Sequence, residues 1–205
     1  MKLRTVQMII LLLAMFLPGL LQGQKTNTEQ ESNPRPCNLK VSNSPSIRGL
    51  RLGMTTDQLL DLFPGSRENP KVQSDLTPYY GRARIDFSYF DYPSPRFKNV
   101  SGVNVVLFDG TVTEVYVSYQ GPPWNSVDEM ITKVAGALSL PSAENWKSGG
   151  DHAKALKCDG FDMKVTAYQG GTCCSSIHLE IPNIFQKVND RKAAAEEKAR
   201  KEFTP

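Results

Sequence analysis

Histidine occurs only twice in the 205 residues, at His152 and His178, which leaves little material for acid–base catalysis or a zinc site. Cysteine is confined to Cys37, Cys158, Cys173 and Cys174, without the Cys-x-x-Cys spacing of a metal knuckle. There is no Gly-x-Ser-x-Gly elbow, phosphate loop, dinucleotide fingerprint, His-Glu-x-x-His pair or calcium loop. No catalytic, cofactor-binding or metal-ligating residue is therefore expected. An excess of one charge is missing too. The formal charge is +3, and setting aside Lys2 and Arg4 leaves 22 basic against 21 acidic residues, a balance that gives no electrostatic case for nucleic acid or an anionic membrane.

Apart from one stretch, long apolar runs are also missing. Lys2 and Arg4 precede MIILLLAMFL at residues 8–17, and Pro18-Gly19 breaks the run before Leu21-Gln22-Gly23. This is the layout of a signal peptide over 1–23, too short for a spanning helix. The mature chain is expected to be periplasmic or secreted, and a monomer with no membrane span. In an oxidising compartment the four cysteines become disulfide candidates with three possible pairings. The strand pattern puts Cys158 at the Asp159-Gly160 turn and Cys173-Cys174 at the far, Gly170-Gly171 end of the next strand. That distance of about 20 Å is far beyond the roughly 7 Å a disulfide allows between Cα atoms. The expected bridge runs from Cys37 to Cys173 or Cys174, with a strained vicinal ring as the alternative.

The stretch LRLGMTTDQLLDLFPG at residues 50–65 organises the rest. Thr55-x-x-Gln58 is a capping box, Met54 and Leu59 have the spacing of a hydrophobic staple, and Pro64-Gly65 ends a helix of barely two turns. Ser126-x-x-Glu129 repeats the signal, with Val127, Met130, Ile131, Val134 and Leu138 on one face. Asp57 and Asp61 share a helix face and are explained by the helix dipole. Strand-like segments follow each helix, at 85–90, 103–108 and 112–119 and again at 153–158, 161–168 and 175–181. Asp109-Gly110 and Asp159-Gly160 supply tight turns. Each half reads α-β-β-β.

The fold expected is α+β: two such repeats, 47–121 and 122–182, form one antiparallel sheet with helices packed on one face. A polar linker covers 24–46, with a short strand near 39–41, and residues 66–81 read as a long loop. A charged helix fills 183–205, with Asn183 as its cap, Ile184, Phe185 and Val188 docking its start, and i,i+4 pairs Glu196–Arg200 and Glu197–Lys201. Alternation within the strands leaves one wet face that carries Glu114, Tyr116, Lys164, Tyr168 and His178, and tyrosine there supplies large contact area at little rotamer cost. These five are the candidate partner-binding residues.

The phrase Leu52-Gly53-Met54-Thr55-x-x-Gln58-Leu59, its short helix ending at Pro-Gly, and Val105 to Val115 (VVLFDGTVTEV) resemble the BamE (SmpA/OmlA) lipoproteins. The duplication is similar to that of the β-lactamase inhibitor protein. The resemblance covers residues 47–182 and implies a non-enzymatic protein-binding module of unknown partner. No lipobox cysteine follows the leader, so it implies no lipid anchor here, and Trp124-Asn125-Ser126 stands where the second unit would carry Gly-Met-Thr. Two alternatives are an envelope-assembly or structural accessory and a secreted hydrolase, the latter requiring His152 or His178 beside a nucleophile in a cleft.

Overall fold

The computed structural model describes residues 37–88, 92, 94–170 and 174–204. The expected signal peptide and most of the linker lie outside them.

Gly53 and Met54 are the residues that dock the first helix onto the sheet. Gly53 adopts a φ of 81°, open to glycine at no steric cost. Its N–H then donates to Val112 O at 2.8 Å, and the Val112 N–H returns to Met54 O at 2.8 Å. Thr55 follows with the reciprocal cap: its Oγ1 accepts from the Gln58 N–H at 3.3 Å, and Gln58 Oε1 accepts from its own N–H at 3.1 Å. Helix α1 (Thr56–Leu60) buries Leu59 and Leu60. Asp61 is its C-cap, outside the first turn, so the dipole accounts only for Asp57. Arg67 clamps both carboxylates at 2.7 Å.

Residues 66–81 are not a plain loop. Asn69 accepts from the amides of Lys71 and Val72, and Pro70 occupies the first position of α2 (Pro70–Asp75), where its missing donor costs nothing. The short strand expected near 39–41 is likewise replaced by a 3₁₀ turn, Val41–Asn43.

Among the described residues, seven strands make one sheet, antiparallel throughout, in the order β1-β2-β3-β7-β6-β5-β4. They are β1 (Arg82–Ser88), β2 (Val100–Phe108), β3 (Thr111–Tyr119), β4 (Lys147–Ser148), β5 (Ala153–Lys157), β6 (Asp162–Thr166) and β7 (Ser175–Glu180). Asp109 and Gly110 both take positive φ in the β2–β3 hairpin, the geometry an Asp-Gly turn favours. β3 bulges at Thr113, whose hydroxyl donates to Val106 O, so Val112 and Val115 both reach the core.

Helix α3 (Val127–Leu138) starts at Ser126, which accepts from the Glu129 N–H at 3.1 Å. Glu129 reaches one residue further back than a capping box requires, to the amide and side chain of Asn125. Met130, Ile131 and Ala135 join Leu59, Leu60, Ile85, Val105, Val115, Met163 and Leu179 in one apolar core. Asp128 and Lys154 pair at 2.5 Å between α3 and β5.

Helix α4 (Ile184–Glu202) begins after Asn183, which has φ 67° and makes no side-chain cap. Val188 is buried, but Phe185 is 74% exposed and does not dock. Arg191 lies over the Phe108 ring at 4.3 Å and grips both Asp109 carboxylate oxygens, which ties the helix to the β2–β3 turn. Of the expected pairs, Glu197–Lys201 forms at 2.6 Å, while Glu196 faces Lys192 at 3.8 Å.

Cys37 is bonded to Cys158, not to the 173–174 pair. The reason lies in the backbone: Cys37 makes a parallel bridge with Cys158, and its carbonyl accepts from the Asp159 N–H at 3.0 Å. The N-terminal segment therefore runs beside the β5–β6 turn, at the opposite end of β6 from the expected anchor. Cys174 is disulfide-bonded as well, and Cys173 lies outside the described residues. The Cys37–Cys158 bond spans a sequence separation of 121, and constraining so long a loop favours the folded state. Replacing both by serine is expected to lower unfolding free energy by about 2–5 kcal/mol in urea titrations.

Candidate functional site: the open face of the sheet

Strand register assembles the site. One row of directly paired residues crosses all seven strands: Asp86, Asn104, Tyr116, His178, Lys164, Ala155 and Lys147. The next row is Arg84, Val106, Glu114, Glu180, Asp162 and Lys157. Side chains on one side of a sheet recur every second residue, so both rows share the face opposite Val105, Val115, Ile177 and Val165. Four of the five candidate residues, Glu114, Tyr116, Lys164 and His178, are thereby brought together at the centre of that face.

Tyr168 is not part of this group. It lies two residues beyond β6, half-buried, and roughly 13 Å of strand separates it from Lys164. Its N–H donates to Ser175 Oγ at 3.0 Å and its carbonyl accepts from the Trp124 N–H at 2.7 Å. The alternation expected from 161 to 168 continues past the point where the ladder ends, and Tyr168 serves the connection to α3 instead.

At the centre, His178 Nε2 lies 3.0 Å from Glu114 Oε1, and the Tyr116 ring meets the imidazole edge-on at a centroid distance of 6.0 Å. The bond from His178 holds the Glu114 carboxyl below its ordinary range, against a smaller opposing effect of burial and with help from the cations Arg82 and Arg84. Tyr116 stays 38% exposed and Lys164 is exposed. Asn104 donates to Asp86, and Arg84 lies 3.8 Å from the same carboxylate. A hollow of about 640 Å³ opens here, with Arg84, Asp86, Asn104, Glu114 and Tyr116 among its walls.

The sequence reading did not single out Asn104, Arg84 or Asp86. Asn104 carries the clearest signal, as a lone polar residue inside the apolar run of β2. Arg84 and Asp86 alternate with Ala83, Ile85 and Phe87 in the same way.

Chemically, this is a surface of donors, acceptors and one aromatic ring. The Nε2 of His178 is taken up by Glu114, and its neighbouring ring is Tyr116. His152 lies elsewhere, exposed in the turn before β5 at φ 57°. Among the described residues no group of three or more His, Cys, Asp or Glu side chains could hold a metal ion, and no helix is long and apolar enough to cross a membrane.

The lowered Glu114 carboxyl fixes the sign of a pH effect. The stability it contributes is fully present above the ordinary glutamate value of 4.5 and is lost as pH falls through the lower folded value. Carboxyl-carbon NMR is expected to show Glu114 titrating below 4.5, and His178→Gln to move its midpoint back up. Comparison with protein families, with curated proteins and with solved structures finds no match to this chain.

Proposed function

We propose that the chain is an exported, non-catalytic protein-binding module that engages its partner through the open face of the sheet. The observation that carries this reading is the row Asn104, Tyr116, His178 and Lys164, which presents a half-exposed ring flanked by hydrogen-bonding and charged groups on a rigid support. Tyrosine at the centre of such a patch is a frequent anchor of protein interfaces, and a polar surround suits an interface that forms and dissociates. The Cys37–Cys158 disulfide is in keeping with an oxidising compartment.

Topology supports the tandem reading of the fold. The last strands of the two halves, β3 and β7, pair antiparallel at the centre, so β1-β2-β3 and β7-β6-β5 run outward from the join in mirrored chain order. Two α-β-β-β units over 47–121 and 122–182, as in the resemblance to BamE and to the β-lactamase inhibitor protein, would give this order for six of the strands; the two-residue β4 at the outer edge of the second span, and α2 in the first, are additions to that pattern. A continuous sheet built in this way offers a wider contact surface than either half alone.

The test is capture of envelope proteins by the immobilised mature chain, with each captured protein identified and its affinity then measured singly. Tyr116→Ala combined with Lys164→Glu is expected to weaken binding by about 2 kcal/mol or more, or roughly thirtyfold. Tyr79→Ala, which removes a ring 62% exposed outside the strands, is expected to leave it unchanged. Undiminished affinity in the double variant would place the interface elsewhere.

A further inference from the structure

A second concavity lies away from the open polar face, among α3, the end of β3 and the chain entering α1. Its volume is about 570 Å³, inside the range of about 300–1,000 Å³ typical of small-molecule sites. Along α3 it is lined by Met130, Lys133, Val134, Ala137 and Leu138, spacings of three and four that form one stripe of the helix. This stripe only partly overlaps the buried one, since Val134 and Leu138 stay half-exposed while Ile131 and Ala135 are covered. The α3 helix thus has an apolar arc wider than the core can fill. Trp124 and Tyr119 face the cleft from the other wall, and Pro122-Pro123 joins them.

The walls are held before any ligand arrives. Ile47 and Leu50 exchange both backbone hydrogen bonds, at 2.8 and 2.9 Å, which closes a tight turn with Arg48 at φ 56° and Gly49 at φ 92°. Arg48 is thereby fixed at the cleft. The Trp124 backbone is anchored to Tyr168, and proline restricts the two residues before it. Burial pushes the Tyr119 hydroxyl up, and the neighbouring Arg48 guanidinium partly offsets this.

Charge selects the occupant. The three ionisable side chains besides Tyr119 that line the cleft are Arg48, Lys133 and Glu129. Glu129 Oε2 is already engaged by the backbone and side-chain amides of Asn125 at the start of α3. Among the described residues, neither Arg48 nor Lys133 has a carboxylate partner in a salt bridge. The cleft lining thus carries two cations against one carboxylate that is already hydrogen-bonded, and Arg48 meets the neutral Tyr119 hydroxyl; an apolar trough with this net positive charge is complementary to an apolar body with a single anionic head.

We infer that this cleft binds a single-chain acyl carboxylate, its chain along Trp124, Val134 and Leu138 and its head between Arg48 and Lys133. The site is independent of the protein-binding surface, because its walls belong to the opposite side of β3.

The experiment uses the mature chain with its disulfides intact, titrated with sodium dodecanoate below its micelle concentration and followed by tryptophan fluorescence. Trp124 is the reporter, since the only other tryptophan, Trp146, is 4% exposed with its Nε1 donating to Pro141 O. A saturable change is expected, weakened about tenfold by Arg48→Gln and by Lys133→Gln, each removing one charge-assisted hydrogen bond. Dodecanol is expected to bind at least about tenfold more weakly than dodecanoate on the same grounds, and dodecyltrimethylammonium not to compete. In Trp124→Phe the fluorescence response should vanish while calorimetry still detects binding. Lys133 is exposed on α3, so Lys133→Gln should keep the wild-type circular dichroism spectrum, which separates lost binding from lost fold. The inference is overturned by the absence of saturation, by equal affinity for the three head groups, by full affinity in Arg48→Gln combined with Lys133→Gln, or by a fluorescence response that survives Trp124→Phe.

Discussion

The pairing of β3 with β7 is the constraint on which the rest depends. Six residue pairs, from Glu114 with Glu180 to Tyr119 with Ser175, join what would otherwise be a three-stranded and a four-stranded sheet, each with one more exposed edge. The ladder places Val115 beside Leu179 and Val117 beside Ile177, all buried, so the two halves share one interior. On the reverse side the same ladder sets Tyr116 beside His178 and leaves Glu114 within reach of that imidazole. Shifting this register by one residue would turn the valines outward and the tyrosine inward. Core integrity and surface chemistry therefore rest on a single alignment.

The two faces of the sheet differ in how they are covered. On the core side, α1 and α3 contribute Leu59, Leu60, Met130 and Ile131 to the central cluster. On the other side, cover is local. Val106 and Phe108 are buried although they belong to the same side as Asn104, and Arg191 of α4 lies over the Phe108 ring. Beyond its first two turns α4 is charged and exposed, which leaves the middle of the sheet uncovered. A guanidinium both stacked on a ring and bidentate to Asp109 can hold a largely polar helix that has only Val188 buried.

Much of this architecture was legible in the amino-acid order because local signals and packing agree. Thr55 and Gln58, Ser126, the Asp109-Gly110 turn and the alternating valines of β3 each favour the geometry they adopt. What stayed hidden depends on partners distant in sequence. Nothing near Cys37 reveals that its backbone lies against Cys158. Pro70 after Asn69 was a readable helix start, overshadowed by the polarity of its surroundings. The bulge at Thr113 and the end of the ladder before Tyr168 change which side a residue faces, and alternation alone cannot register either. The central cluster was legible from period-two alternation, whereas Arg48 and Lys133 line a cleft whose walls come from three separate parts of the chain.

The bond between Cys37 and Cys158 has a consequence for how the molecule is made. One sulfur belongs to Cys37, which precedes every strand of the sheet, and the other to Cys158 at the turn between β5 and β6. In synthesis from the amino terminus, the earlier thiol must wait, unpaired, until the whole of β1 to β5 has emerged. Covalent closure therefore cannot precede synthesis of the β5–β6 turn, and once made it fastens the amino-terminal segment to the second half of the sheet.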